Sequence, residues 1–161
     1  MATSERGPVF LNDVIKEIQT RFEAPAQDKG LALQVEYPDE TLKVWGNQNE
    51  LDRMISNLVS NAVKYTLEGE VRLRLERVND LAHIVVADTG IGIPEDALPH
   101  LFDEFFRATN AKELQEAGTG LGMSIIKDLV ERYNGKIDVQ SVEGEGTTFV
   151  LSLPLAQAKI V

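Results

Sequence analysis

The chain has 161 residues, a length suited to one compact domain, and 43% hydrophobic with 26% charged residues is a globular balance that argues against disorder. With 16 basic side chains against 26 acidic ones the net charge is −10, which repels a phosphate backbone and argues against nucleic acid as a partner, yet leaves a small anion able to bind through local dipoles. The absence of cysteine excludes disulfides and thiolate metal sites, and no apolar run nears the ~20 residues of a membrane span.

Met1 to Pro8 is polar and reads as a tail, too polar for a signal peptide, so the domain proper is expected over residues 9–161. Phe10, Val14, Ile15, Ile18 and Phe22 recur at helical spacing, which predicts a helix to about Lys29. Asn12 or Asp13 is the expected cap, and Gly30 the exit. Leu31–Tyr37 and Lys43–Trp45 read as short strands. Asn47–Thr66 is the clearest helix, with an apolar stripe of Leu51, Ile55, Leu58, Val59 and Ala62. Val71–Arg77 alternates strictly, and Asn79-Asp80 turns it into the mostly apolar strand Leu81–Asp88. Pro94–Phe106 is expected to hold two short helical pieces separated by Pro99. Arg107–Ala117 is polar, without an apolar stripe, and reads as a mobile lid. Leu121–Tyr133 reads as a second long helix stopped by Asn134-Gly135. Lys136–Val142 and Thr147–Leu153 form a closing hairpin. Half-wet strands with helices enough for one layer imply an α+β fold, a two-layer α/β sandwich.

Three constellations carry chemistry. On the helix 47–66, Asn57, Asn61, Lys64 and Tyr65 share about one third of the circumference, at ~100° per residue, away from the apolar stripe. Amide oxygens can coordinate Mg²⁺, a lysine can meet a phosphate and a tyrosine can stack on a base; a solvated polar face is the plainer reading of the two asparagines alone. Asp88 ends an apolar strand at an expected cavity mouth and is followed by Gly90, Gly92 and Ile93, a segment that is either a plain turn or a close approach to a ligand. Gly118, Thr119, Gly120, Leu121 and Gly122 run into a helix, an arrangement suited to phosphate. Met123 stands where a Rossmann fingerprint needs its third glycine, and no GxxxxGK[ST] loop exists, which excludes a P-loop enzyme.

In this order the pieces resemble the catalytic ATP-binding domain of bacterial sensor histidine kinases, a GHKL-type domain. Asn57–Thr66 is similar to that family's asparagine box, Asp88–Gly92 to its first glycine box, Leu101–Arg107 to its phenylalanine box and Gly118–Gly122 to its second glycine box. Gly144-Glu-Gly-Thr147 matches its final glycine turn, and the likeness runs from Pro8 to Leu155. The resemblance implies a Bergerat-type fold: a mixed, mainly antiparallel sheet, helices on one face and a flexible ATP lid.

By the same resemblance the cofactors are ATP and Mg²⁺. Asn61 would ligate Mg²⁺ with help from Asn57, Lys64 would contact phosphate, Tyr65 would pack on adenine and Asp88 would accept from its amino group. Phe102 and Phe105 would anchor the lid, and Arg107 would approach the γ-phosphate. Gly90, Gly92, Ile93, the Gly118–Gly122 segment and Thr147 would complete the nucleotide wall. Asn47-Gln-Asn49, where acidic residues are frequent, and Met123-Ser124 are mild departures.

Neither His83 nor His100 matches the family's acceptor pattern, a helical histidine followed by an acidic residue and then a proline, and both read as structural or surface groups. The phosphoacceptor is therefore expected on a separate dimerisation domain, with a response regulator downstream. The expected setting is cytoplasmic, in a parent that could itself be membrane-anchored, and the isolated domain is expected to be monomeric without direct membrane contact. The related ATPases, such as type II topoisomerases and mismatch-repair proteins, carry a glutamate one turn before the metal asparagine; Asn57 occupies that place here. A nucleotide sensor that binds without transferring phosphate is the third reading, disfavoured by the intact Asn61, Asp88 and glycine segment.

Overall fold

The computed structural model describes residues 5–103 and 122–156. Their order is β1 (Gly7–Phe10), α1 (Leu11–Asp28), β2 (Ala32–Glu36), β3 (Lys43–Gly46), α2 (Gln48–Tyr65), β4 (Glu70–Val78), β5 (Leu81–Asp88), a 3-10 turn (Leu98–His100), α3 (Gly122–Arg132), β6 (Lys136–Val142) and β7 (Gly146–Pro154). Five strands form one sheet in the order β2-β4-β5-β7-β6, in which only β2 and β4 run parallel. The sheet is mixed and mainly antiparallel, as expected.

Alternation fixes which face is covered. Val71, Leu73 and Leu75 of β4, Ala82, Ile84 and Val86 of β5, and Phe149, Leu151 and Leu153 of β7 are buried. Against them lie Leu51, Met54, Ile55, Leu58, Val59 and Ala62 of α2, with Val14, Ile15 and Ile18 of α1 and Ile126, Leu129 and Val130 of α3 in the same core. The opposite sheet face carries Arg72 and Arg74, with His83 paired to Glu76 and Ser152. His83 is thus a strand residue on the uncovered face, and His100 lies 3.1 Å from Asp103 in the 3-10 turn, so neither sits on an acceptor helix. No helix among the described residues is long and apolar enough to cross a membrane.

Three expectations need correction. Gly7 and Pro8 are not tail: they belong to β1, which pairs antiparallel with β3 through Pro8↔Trp45 and Val9↔Val44. Proline is tolerated because this ribbon is only two strands wide, so its missing N–H interrupts no inner ladder. Neither Asn12 nor Asp13 caps α1, whose N-cap is Phe10 without a side-chain bond. The chain enters α1 directly from β1, and Leu42 C=O takes the Leu11 N–H at 2.8 Å, satisfying one of the N–H groups that a helix start leaves open. Asn12 is instead buried, donating to Pro38 and Glu40 carbonyls and accepting from Leu42 N–H, and so clamps the loop before β3. Finally, Pro99 does not divide two helices. It lies inside the 3-10 turn, whose early positions need no N–H, within the successive turns Ala97→Pro94, His100→Ala97 and Leu101→Leu98; Phe106 is outside the described residues.

Candidate functional site

The helix α2 is anchored at both ends. Asn47 accepts the Glu50 N–H at 3.1 Å as N-cap, and the Tyr133 hydroxyl of α3's exit accepts the Asn47 N–H at 2.8 Å and meets Glu50 at 2.8 Å. At the other end the Lys29 ammonium donates to the Val63 and Lys64 carbonyls at 2.8 and 2.9 Å, satisfying acceptors that a helix C-terminus leaves open. With the apolar stripe buried, Asn57, Asn61, Lys64 and Tyr65 are left half-buried along one side. Asn61 Nδ2 donates to Met123 Sδ at 3.3 Å, so the second asparagine lies against the first turn of α3, which Gly122 opens. The ring of Tyr65 packs in a small cluster with Ile91, Ile93 and Ala97, and Lys64 Nζ stands 5.7 Å from its centroid.

Asp88 is the last residue of β5, and the strand's alternation points its side chain to the helix-covered side, with Ile84 and Val86. Its partners across the sheet are Val71 and Thr147. Oδ1 accepts two backbone N–H bonds, from Gly90 at 2.8 Å and Thr147 at 3.2 Å. Oδ2 has no hydrogen bond among the described residues and is not sealed from the exterior. Burial pushes the Asp88 carboxyl above its ordinary range, and the two N–H bonds only partly oppose this. The result is a carboxylate with one oxygen fixed and one presented, suited to accepting from a neutral amine.

The turn after Asp88 is held by three separate elements. Ile91 N–H donates to the Tyr65 carbonyl at 3.0 Å, Gly144 N–H to the Ile91 carbonyl at 2.7 Å, and Ile93 N–H to Ser141 Oγ at 2.7 Å. Ser141 Oγ also donates to the Gly146 carbonyl at 2.9 Å and lies 2.8 Å from Thr147 Oγ1. Two glycines are required here. A Cβ on Gly90 would stand 2.4 Å from the Tyr65 carbonyl oxygen, and Gly92 adopts φ +70 with its would-be Cβ 2.2 Å from the Val142 carbonyl oxygen. Sequence reasoning missed Ser141, Met123 as Asn61's partner, and the sealed hydroxyl of Thr66 beside this turn; Thr66 stands at the end of the asparagine segment, the one signal that could have found it.

The structure thus leaves Asn57, Asn61, Lys64 and Tyr65 half-buried on one side of α2, sets Asn61 against Met123, packs Tyr65 with Ile91 and Ile93, and ties Asp88 to Gly90 and Thr147. Phe102 is partly buried against the core with Lys127 Nζ 6.0 Å from its ring. Phe105, Arg107, the Arg107–Ala117 lid, Gly118, Thr119, Gly120 and Leu121 lie outside the described residues. Among the described residues no three His, Cys, Asp or Glu side chains could jointly hold a metal. The side-chain amide oxygens of Asn57 and Asn61 on α2 are hard, neutral donors of a kind that fits Mg²⁺, which keeps few protein ligands.

A one-sided sandwich with an asparagine helix beside a strand-end aspartate, closed by glycine turns, defines a nucleotide-binding domain of the Bergerat class. The chain belongs to the histidine kinase-, DNA gyrase B-, and HSP90-like ATPase family, which it matches over residues 46–157. Within that family it is a catalytic ATP-binding domain of the sensor-kinase kind. It is 34% identical over 152 residues to the sensor histidine kinase RppB of Synechocystis, covering 94% of this chain and 34% of that protein. It is 42% identical over 113 residues to the phosphate regulon sensor protein PhoR of Pseudomonas aeruginosa, covering 70% of this chain and 26% of that one. The chain therefore spans about a third or less of these relatives. Among solved structures, the catalytic domain of the histidine kinase ThkA superposes with a TM-score of 0.80 at 27% identity, covering 93% of this chain and 97% of that domain. Full-length ShkA in complex with AMPPNP superposes with a TM-score of 0.84 at 25% identity, covering 99% of this chain and 33% of ShkA.

Proposed function

We propose that this domain binds Mg²⁺–ATP and transfers the γ-phosphoryl group to a histidine on the dimerisation domain of a two-component sensor kinase, from which a response regulator takes it, in the cytoplasm. In that step the bond from the γ-phosphorus to the β–γ bridging oxygen breaks, a phosphorus–nitrogen bond forms, ADP leaves and the histidine proton passes to a base beside the acceptor. Bound Mg²⁺ would neutralise charge on the phosphate oxygens. Asn61 and Asn57 would hold the cation, Lys64 would bind phosphate, Tyr65 would support the base, and Asp88 would read its amino group. Arg107 would approach the γ-phosphoryl group, Phe105 would anchor the lid, and the Gly118–Gly122 amides would cradle phosphate.

The observation that carries this reading is the divided carboxylate of Asp88, with Oδ1 pinned by Gly90 and Thr147 and Oδ2 presented. Transfer, as opposed to hydrolysis, is favoured by Asn57, because a neutral amide cannot take a proton from water as a carboxylate can. Phosphate release by the purified chain with excess ATP should be very slow, and a helical hairpin carrying the acceptor histidine should become labelled in trans. Turnover at or above ~1 s⁻¹, abolished by Asn61→Ala, or robust acid-labile labelling of this chain alone, would refute the proposal.

A further inference from the structure

Thr66, the C-cap of α2, is fully buried, and its Oγ1 is sealed from solvent without a hydrogen-bond partner among the described residues. A threonine at a helix end ordinarily turns its hydroxyl to a nearby main-chain carbonyl. Here those carbonyls are engaged: Val63 and Lys64 by the Lys29 ammonium, and Tyr65 by the Ile91 N–H. Across the small gap left by Gly90 stands another acceptor. A Cβ built on Gly90 would lie 2.8 Å from Thr66 Oγ1 and 2.9 Å from Asp88 Oδ1, so the two oxygens flank the same spot. An unpaired buried hydroxyl is destabilising, and valine would fill the same volume without that penalty.

Resting on the reading that Asp88 recognises an adenine amino group, we infer that Thr66 is a positioning residue for Asp88, whose hydroxyl donates to Oδ1 when an amine occupies Oδ2. The weaker of the present bonds to Oδ1 is the one from Thr147 N–H at 3.2 Å. A small turn of the carboxylate exchanges it for the Thr66 hydroxyl and aims Oδ2 at the base. The free protein holds the donor in reserve, and the bound nucleotide calls on it.

Calorimetric titration of wild type, Thr66→Val and Thr66→Ser with Mg²⁺–ATP and with purine riboside triphosphate, which lacks the 6-amino group, tests this. Wild type should prefer ATP by roughly 10- to 100-fold. Thr66→Val should lose about 5- to 10-fold in ATP affinity while its affinity for the analogue stays within about 2-fold. Thr66→Ser should keep the wild-type preference, and Thr66→Val without nucleotide should unfold at or above the wild-type temperature. Should Thr66→Val not fold, Thr66→Ala makes the same comparison. A wild-type preference retained by the valine or alanine variant, or equal losses for both ligands, would overturn the role of Thr66 while leaving that of Asp88. A wild type that binds both ligands equally would overturn the Asp88 reading and the Thr66 inference with it.

Discussion

Replacing Asp88 by asparagine separates what this carboxylate does for the ligand from what it does to the fold. Asparagine keeps an oxygen for the Gly90 and Thr147 N–H groups, which lie 2.8 and 3.2 Å from Oδ1. Its amide nitrogen then takes the place of Oδ2, where the 6-amino group of adenine would meet a second donor. Losing such a pairing amounts to about 1–3 kcal/mol, roughly 10- to 100-fold in affinity. Guanine presents a carbonyl at the same position, so its affinity should rise and the ATP-to-GTP preference should shrink by at least about 10-fold. Stability should move the other way. Because burial raises the folded carboxyl above its unfolded value, the contribution of Asp88 to stability is fully present below the unfolded pKa and declines as pH rises through the folded one. Asp88→Asn removes that decline, so the variant should be more stable than wild type near neutrality, with the difference vanishing in acid. Calorimetric titration with ATP and GTP, together with urea unfolding across pH, reads both effects. An Asp88→Asn protein whose ATP affinity stays within about 2-fold of wild type, or a wild type indifferent to the base, would refute the assignment.

The other predictions concern the frame around the site. Tyr133→Phe removes the acceptor for Asn47 N–H and the partner of Glu50, and should destabilise the fold by about 1–3 kcal/mol in urea unfolding; an unchanged midpoint would show that the α2–α3 clasp is dispensable. Gly92→Ala places a Cβ against the Val142 carbonyl at φ +70 and should weaken ATP binding at least about 10-fold, with a loss of about 1–3 kcal/mol in stability. Titration and thermal unfolding check this, and wild-type affinity in Gly92→Ala would mean that the turn does not shape the site. Asn61→Ala should abolish the Mg²⁺ dependence of ATP binding measured with and without chelator; an undiminished dependence would move the cation to other ligands.

Where a segment's own pattern decided its structure, the sequence was legible. Val71–Arg77 alternates strictly, and its buried face of Val71, Leu73 and Leu75 agrees with the structure, while Leu81–Asp88, mostly apolar, is a strand with the expected ends. The hairpin at Asn79-Asp80 was equally local, with Asn79 at φ 56. The failures share a different cause. Gly7 and Pro8 form a strand only because β3, 37 residues on by the register Pro8↔Trp45, offers an edge. Asn12 resembles a cap until residues 38–42 supply better partners for its amide. In each case the deciding acceptor is distant in sequence, so no local rule could find it.

The same distinction separates the candidate site's side chains, which the sequence marks, from their supports, which it does not. Asn57, Asn61, Lys64 and Tyr65 are conspicuous residue types that the helix period alone sets on one side of α2, and Asp88 is conspicuous as a carboxylate ending an apolar strand. What fixes them is mostly main chain: the Tyr65 carbonyl on Ile91, the Ile91 carbonyl on Gly144, and the Gly90 and Thr147 amides on Asp88. Main-chain groups are present at every position, so the sequence marks them only where a glycine must make room, as at Gly90 and Gly92. Burial raises the Asp88 carboxyl by disfavouring its charged form, and the fixed N–H groups on Oδ1 offset part of that cost. The Thr147 amide is placed by the β5–β7 register and the Gly90 amide by the turn that Ile91 anchors to the Tyr65 carbonyl, so in the free protein Oδ1 is held and Oδ2 is left to a ligand.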